Sequence, residues 1–440
     1  MLIRPLSSVP QTAGQTSGAD RAGHVAGRAW LVLGVSFALL LSDYMSRQVL
    51  SAVFPLLKLE WSLTDAQLGS LGGVVALMVG LLTFPLSLLA DRVGRARSVA
   101  MMALTWSLAT LGCALCANYG QLLAARFVLG VGEAAYGSVG LAVVFTYFPR
   151  TLRATITGAF MAGGVFGSFI GLALGGAISA HLGWRGAFVA MAGFGLLLAA
   201  AYAVVVRDRR GPADAGVEGG GLAGLRFGAI AAGLFGSRAV ILTYVASGLQ
   251  LFVLGALTAW APSYLNRVDG LSPSAAAAAA AGLLLSAGVG MVVCGVVADR
   301  LCALRPRLRP MLAASYGVVT FVFLEAAFHL PNGPAQIVCA VVGLFCAGGA
   351  SGPAGAMVAD RTPPALHGAA LAVLTLANNL IGLAPGPVVT GVLADRWGLQ
   401  AALQLAPFAA LAAAGVFCLS HQAQLSTPKS RPQGAVRGKQ

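Results

Sequence analysis

Asp43 and Arg47 stand four residues apart in one long apolar run, and Arg126 and Glu133 stand seven apart in another. A charge at the centre of a bilayer costs roughly 2.5–3.5 kcal/mol, so charges in such runs face a bundle interior or an aqueous path and mark a functional site. On a helix each pair shares one face. Asp43 and Arg47 are close enough to neutralise each other, whereas a rise of 1.5 Å per residue puts Arg126 and Glu133 about 10 Å apart along the axis. Glu133 therefore needs another partner, a water-filled cavity or a proton. Arginine forks make charge-assisted hydrogen bonds to carboxylates, so Arg47 and Arg126 are candidate ligands for an organic anion. Tyr44 and Tyr136 lie beside these charges, and Tyr244, Gln250, Asn378 and Asn379 fall at mid-depth in later apolar runs. They suit hydrogen bonds to a polar substrate, with helix–helix bonding as the competing role.

The elements that must position these groups follow from composition. The chain has 440 residues, 58% hydrophobic and 10% charged, with a mean hydropathy of +0.83. Globular soluble chains carry about 25% charged residues, so this is an all-α integral membrane protein with the lipid bilayer as its surroundings. Apolar runs long enough to span, about 20 residues, fall at 29–54, 67–90, 98–117, 121–148, 155–180 and 186–206, then at 239–264, 273–298, 310–330, 335–359, 366–394 and 400–420. With the N-terminus inside, Lys58, Arg185, Arg267 and Arg396 fall outside, and the other Lys and Arg residues beyond the apolar runs cluster inside. That asymmetry puts both termini in the cytoplasm and makes the net charge of +14 an orientation signal, not a nucleic-acid surface. The polar first 28 residues lack the apolar core and cleavage site of a removable signal. Arg outnumbers Lys 25 to 3 amid abundant Ala and Gly, a bacterial GC-rich pattern that points to the inner membrane. Cys113 and Cys116 have no ligand histidines nearby, and no phosphate-binding Gly-rich loop with Lys and Ser or Thr occurs, so neither metal, cofactor nor ATP drive is expected.

The chain divides in two. A charged, Gly-rich stretch within 207–238 reads as a cytoplasmic linker between bundles at 29–206 and 239–421, with tails at 1–28 and 422–440. The bundles echo each other: Ala-Asp91-Arg92 ends span 2 and Ala-Asp299-Arg300 ends span 8, while Gly171-Leu-Ala-Leu-Gly175 of span 5 returns as Gly382-Leu-Ala-Pro-Gly386 in span 11. Two signals recurring at nearly one offset imply parallel six-span repeats, a transporter arrangement.

Asp91-Arg92-Val-Gly94-Arg95-Ala-Arg97 resembles the signature loop of the major facilitator superfamily, differing at Ser87 and Ala96. The resemblance implies twelve helices in two six-helix halves and a latch of Asp91, Arg92, Gly94 and Arg95, repeated at Asp299 and Arg300. Gly183-Trp184-Arg185 is similar to another superfamily segment and suits interfacial anchoring. Span 5 carries Gly163, Gly167, Gly171 and Gly175, a smooth packing stripe; drug/proton antiporters of the superfamily carry a Gly-Pro pair there, and no proline interrupts this span. Arg126-x-x-x-Gly130-x-Gly132-Glu133-Ala, with Tyr44-x-x-Arg47-x-x-Leu50, resembles the organic anion:cation symporters and the spinster-like transporters. Those families commonly place an aspartate directly before the span 1 arginine; here Ser46 holds that place and Asp43 lies one turn earlier. The resemblance implies a monomeric secondary transporter that moves a small organic anion with protons, with Glu133 and Asp43 as its proton-coupling residues. Export of a lysolipid or other amphiphile is the alternative, followed by drug antiport and by a sensor that binds without transporting.

Overall fold

The computed structural model describes residues 16–149, 152–206, 227–303, 305–363 and 366–426. Eleven described helices are long and apolar enough to cross a membrane: Gly27–Trp61, Asp65–Val93, Arg95–Leu115, Tyr119–Phe145, Thr155–Val205, Arg238–Arg267, Pro273–Cys302, Arg309–His329, Pro334–Ala359, His367–Trp397 and Leu399–Leu425. The fifth is two crossings, 155–182 and 184–205, joined through Gly183, whose φ of 68° no β-branched or bulky residue adopts readily. Counted thus, spans 1 to 12 match the sequence-derived order. An even number of crossings returns the chain to its starting side, so one end of the bundle is proximal to both termini and the other distal.

Local chemistry sets the span limits, because backbone groups left unpaired in hydrocarbon are costly. Span 2 starts at a reciprocal cap: the Thr64 hydroxyl accepts from Gln67 N–H, and the Gln67 side chain accepts from Thr64 N–H. Asn118 caps span 4 and Ser272 caps span 8, where Pro273 occupies the first turn. Gly94, at φ 109°, turns span 2 into span 3. Part of the expected linker is ordered: Phe227–Phe235 is a helix, and Leu234 packs in one cluster with Tyr244 and Leu366. Residues 207–226 of that linker lie outside the described residues, and the first helix already runs from Thr16.

The span 5 glycines act as the stripe the sequence implied. A side chain at Gly163 would strike Phe37, at Gly167 Leu41 and Tyr44, at Gly171 Met45, and at Gly175 Val49. Spans 1 and 5 thus lie backbone to backbone over four turns, which aims Asp43 and Arg47 away from span 5.

Contacts joining the two halves gather at the distal end. Gly69 and Gly73 of span 2 abut Pro387 and Ala384 of span 11, and deeper down Gly80 abuts Asn379. Gly176 of span 5 abuts Ala277 of span 8. Trp260 of span 7 donates its indole N–H to the Pro387 carbonyl at 3.0 Å and stacks on Phe54 of span 1. Beyond Gly80, towards the proximal end, span 2 exposes Leu81, Phe84, Leu88 and Leu89.

Two spans are broken at mid-membrane. Span 4 comprises helices Tyr119–Glu133 and Tyr136–Phe145, and span 10 comprises Pro334–Ala347 and Ser351–Ala359. Span 11 contains a π-helical stretch, Asn378–Leu383, a wide turn often found where a helix must yield.

Candidate functional site

Glu133 is the last residue of the first helix in span 4, so the break fixes its position. The Ala134 carbonyl freed by the break accepts the Thr83 hydroxyl of span 2 at 2.6 Å. Gly132, one residue before Glu133, lies so close to Trp106 and Thr105 of span 3 that a methyl group would collide. Span 4 is thereby clamped on two sides, and the Glu133 side chain has one direction left, towards span 1.

Span 1 meets it with Arg47. The Arg47 Nε lies 2.7 Å from Glu133 Oε2 and 3.5 Å from Asp43 Oδ1. The first contact is a close charge contact without hydrogen-bond alignment. The carboxyl groups of Asp43 and Glu133 also lie within hydrogen-bond reach of each other. One arginine therefore serves two carboxyls, and two carboxyl oxygens can bond only when a proton sits between them. The side chain of Arg47 is 21% exposed, against 3% for Asp43 and 0% for Glu133, so Arg47 is the member of the trio that a ligand can reach. Its guanidinium stands 5.2 Å from the centre of the Tyr44 ring.

Of the openings the sequence left for Glu133, a partner, water or a proton, the structure supplies a partner: Arg47, one turn after Asp43 on span 1. The reading of Arg126 is corrected. Arg126, expected to face a ligand, is 1% exposed. Its three nitrogens donate to the carbonyls of Leu71 at 3.2 Å, Ser46 at 3.0 Å and Arg47 at 3.4 Å. It ties spans 1 and 2 to span 4 and holds the backbone of Arg47 directly. Tyr136 is likewise fully buried, donating to the Ser36 carbonyl at 2.6 Å and packed on Trp106 and Phe160.

The second-half candidates do not join this cluster among the described residues. Gln250 is 1% exposed and donates to Thr320 Oγ1 at 3.3 Å and the Ala347 carbonyl at 3.2 Å, which makes it a link between spans 7, 9 and 10. Tyr244 is buried beside Phe235, with its hydroxyl unpartnered. Asn379 donates to the Thr375 carbonyl, while the buried Asn378 Oδ1 is unpartnered within the π-helical stretch.

In the signature loop Asp91 pairs with Arg95 at 2.7 Å across the Gly94 turn, and Arg92 is exposed. Asp299 and Arg300 are exposed at the end of span 8, and the proximal ion pair of the second half joins Arg309 to Asp360 instead. Trp184 is not at a lipid interface: it is 3% exposed, meets Trp61 and Phe188 edge to face, and donates to Glu60 at 2.6 Å. Arg185 lies 4.1 Å over its ring and pairs with Glu60 at 2.7 Å.

One constellation escaped the sequence reading. Lys58 and Arg267 are positive charges at span ends, and both converge on Asp65: Lys58 Nζ at 2.6 Å, and Arg267 Nη1 at 2.9 Å and 3.0 Å. Asp395 of span 11 accepts the backbone N–H groups of Asp65 at 2.7 Å and Ala66 at 2.9 Å, so a carboxylate of one half caps a helix of the other. The Ala-Asp395-Arg396 sequence repeats the Ala-Asp-Arg ends of spans 2 and 8 and was the available signal.

The family model for the Major Facilitator Superfamily matches residues 36–387. The "Probable L-galactonate transporter" of Escherichia coli K12 is 26% identical over 302 residues, covering 66% of this chain and 65% of that protein. The "D-galactonate transporter" of Escherichia coli O6:H1 is 25% identical over 400 residues, covering 86% of this chain and 91% of that protein. The fold superposes on the crystal structure of a bacterial homologue of the human lysosomal transporter spinster, inward-facing and unoccupied, with a TM-score of 0.79 at 21% identity over 90% of this chain and 98% of that one. With a twelve-span fold, a family match across both halves and a charge cluster buried at mid-membrane, this chain belongs to the Major Facilitator Superfamily and is a multi-pass membrane transporter, not an enzyme.

Proposed function

We propose that this transporter moves a small organic anion, a sugar acid of the galactonate class, together with protons by alternating access. The observation that carries the reading is the trio itself: one reachable arginine flanked by two buried carboxyls close enough to share a proton. With both carboxyls ionised, Arg47 is more than neutralised, and an incoming carboxylate finds no net attraction. A proton on Glu133 leaves Asp43 and Arg47 balanced, with Arg126 adding a positive field behind them. The site then favours an anion, and Arg47 presents the donors that a carboxylate accepts. Proton and anion thereby enter as one unit, and release of either weakens the hold on the other, a reciprocal coupling.

Both relatives quoted above are named for galactonate, which supports the substrate class. The closed distal end, sealed by Asp65 with Arg267 and by Asp395, is the contact set that must part when the site faces the other way. The charge asymmetry of the loops supports cytoplasmic termini and puts the Asp91–Arg95 loop on the cytoplasmic face as a latch, and the bacterial relatives support an inner-membrane location.

The test is uptake of labelled D-galactonate into proteoliposomes under an imposed pH gradient. Wild-type protein should accumulate it against its gradient when the outside is acidic. If Glu133→Gln still accumulates it uphill to the wild-type level, Glu133 is not the coupling group.

A further inference from the structure

A cavity of about 520 Å³ lies wholly within the second half, between spans 7, 8, 9 and 10 at the distal end. It is separate from the charged trio, which belongs to spans 1 and 4. Volumes of roughly 300–1,000 Å³ with a few convergent polar groups characterise small-molecule sites. Leu257, Leu283, Leu324 and Leu344 form its apolar wall, and one end is polar, with Tyr264, Asp269 and Gln336 among the lining residues. Gln336 is buried and lies within hydrogen-bond reach of both Asp269 and Tyr264. Asp269 Oδ1 is buried without a hydrogen-bond partner. No basic residue lines the cavity among the described residues, and nearby Arg267 is engaged with Asp65. Burial pushes the Asp269 carboxyl above its ordinary value, against the hydrogen bond from Gln336, as expected of a carboxyl whose charge is poorly compensated. Gly282 of span 8 and Val341 of span 10, also lining residues, are exposed, so the cavity wall there is accessible and not packed shut.

We propose that this cavity is a second ligand site, for a single-chain amphiphile with a protonated amine head. The alkyl chain lies along the leucine wall and the ammonium N–H donates to Asp269 Oδ1, supplying the positive charge that the protein does not. Anionic amphiphiles are rejected by the same carboxyl, so this site and the proposed sugar-acid site select opposite charges. A hydroxyl head offers one neutral hydrogen bond in place of a charge-assisted one, which is roughly twice as strong.

The proposal is tested on the full-length protein in phosphatidylcholine nanodiscs, whose lipid carries no N–H on its head. Dodecylammonium, dodecanol and dodecanoate are compared by the shift each produces in thermal unfolding. Dodecylammonium should raise the midpoint and the other two should not. Asp269→Asn should weaken dodecylammonium about ten- to a hundredfold, the size of a hydrogen bond to a charged group, and Leu283→Trp should abolish its effect by filling the cavity. Both variants should take up D-galactonate as wild type does. Equal shifts from dodecanol and dodecylammonium would make this a cavity for any lipid chain and overturn the proposal. So would an unchanged response in Asp269→Asn, which keeps the test decisive even if Leu283→Trp fails to fold. Loss of galactonate uptake in either variant would instead tie the cavity to the central transport cycle and refute its independence.

Discussion

The two halves break the same span at the same depth and fill the break differently. Span 4 interrupts after Glu133 and span 10 after Ala347, each the last residue of a first helical segment. In the first half the break holds a carboxyl that faces an arginine. In the second it holds an alanine whose carbonyl is bound by the neutral amide of Gln250. Arg126 does for the first half what Gln250 does for the second, since both cross-link helices by donating to backbone carbonyls. The repeat thus supplies a common frame with a broken helix. Charge in one copy alone turns that frame into a site that can respond to protons.

Glu133→Gln gives the largest expected effect on transport. A gradient of one pH unit is worth about 1.4 kcal/mol per proton, so one coupled proton supports about tenfold accumulation of galactonate. The variant should bring that ratio to about one, read as steady-state internal label, while downhill exchange persists. Placing a carboxyl in the other break asks the reverse question. Ala347→Glu buries an acid with no arginine to meet it and should cost about 3–5 kcal/mol of stability. A melting midpoint unchanged in Ala347→Glu would show that the two breaks tolerate charge equally. Asp65→Asn comes next. It weakens the pair to Arg267 across the halves by about 1 kcal/mol and should speed alkylation, by a membrane-impermeant reagent, of a cysteine placed beneath the distal seal. Equal alkylation rates would mean that these ions do not hold the end shut. Gln250→Leu should do least, lowering stability by about 1 kcal/mol with D-galactonate uptake within about twofold of wild type. A collapse of uptake with normal stability would move Gln250 from scaffold to substrate site.

Much of this was legible along the chain. The apolar runs, the offset repeats and the Asp-Arg ends predict twelve spans in two halves, and the glycine stripe predicts a close neighbour for span 5. Depth was legible as well: Asp43, Arg47, Arg126 and Glu133 all lie within the bundle. Partnership was not. A spacing of seven along the helix puts Arg126 out of reach of Glu133 and says that the acid needs something else without saying what. The acid's partner comes from another span, at a distance that no spacing in either run encodes. Arg126 looked like a ligand because burying a guanidinium is costly. The structure offsets that cost with three carbonyls, one from span 2 and two from span 1, and carbonyls leave no mark in a sequence. Lys58 and Arg267 read only as positive charges on the outer side until the turns at the distal end bring both to Asp65, beside Asp395.

The sequence alone determined that this chain lies in a membrane, crosses it twelve times in two related halves, and carries charge deep in only the first. Those facts depend on hydrophobicity, length and periodicity, which are properties of segments. Which arginine meets which carboxyl, which polar residue serves as scaffold, and where an unpartnered Asp269 overlooks an apolar cavity were decided by tertiary structure. An ion pair is set by a few ångströms between helices far apart in the chain, and only their packing fixes that distance.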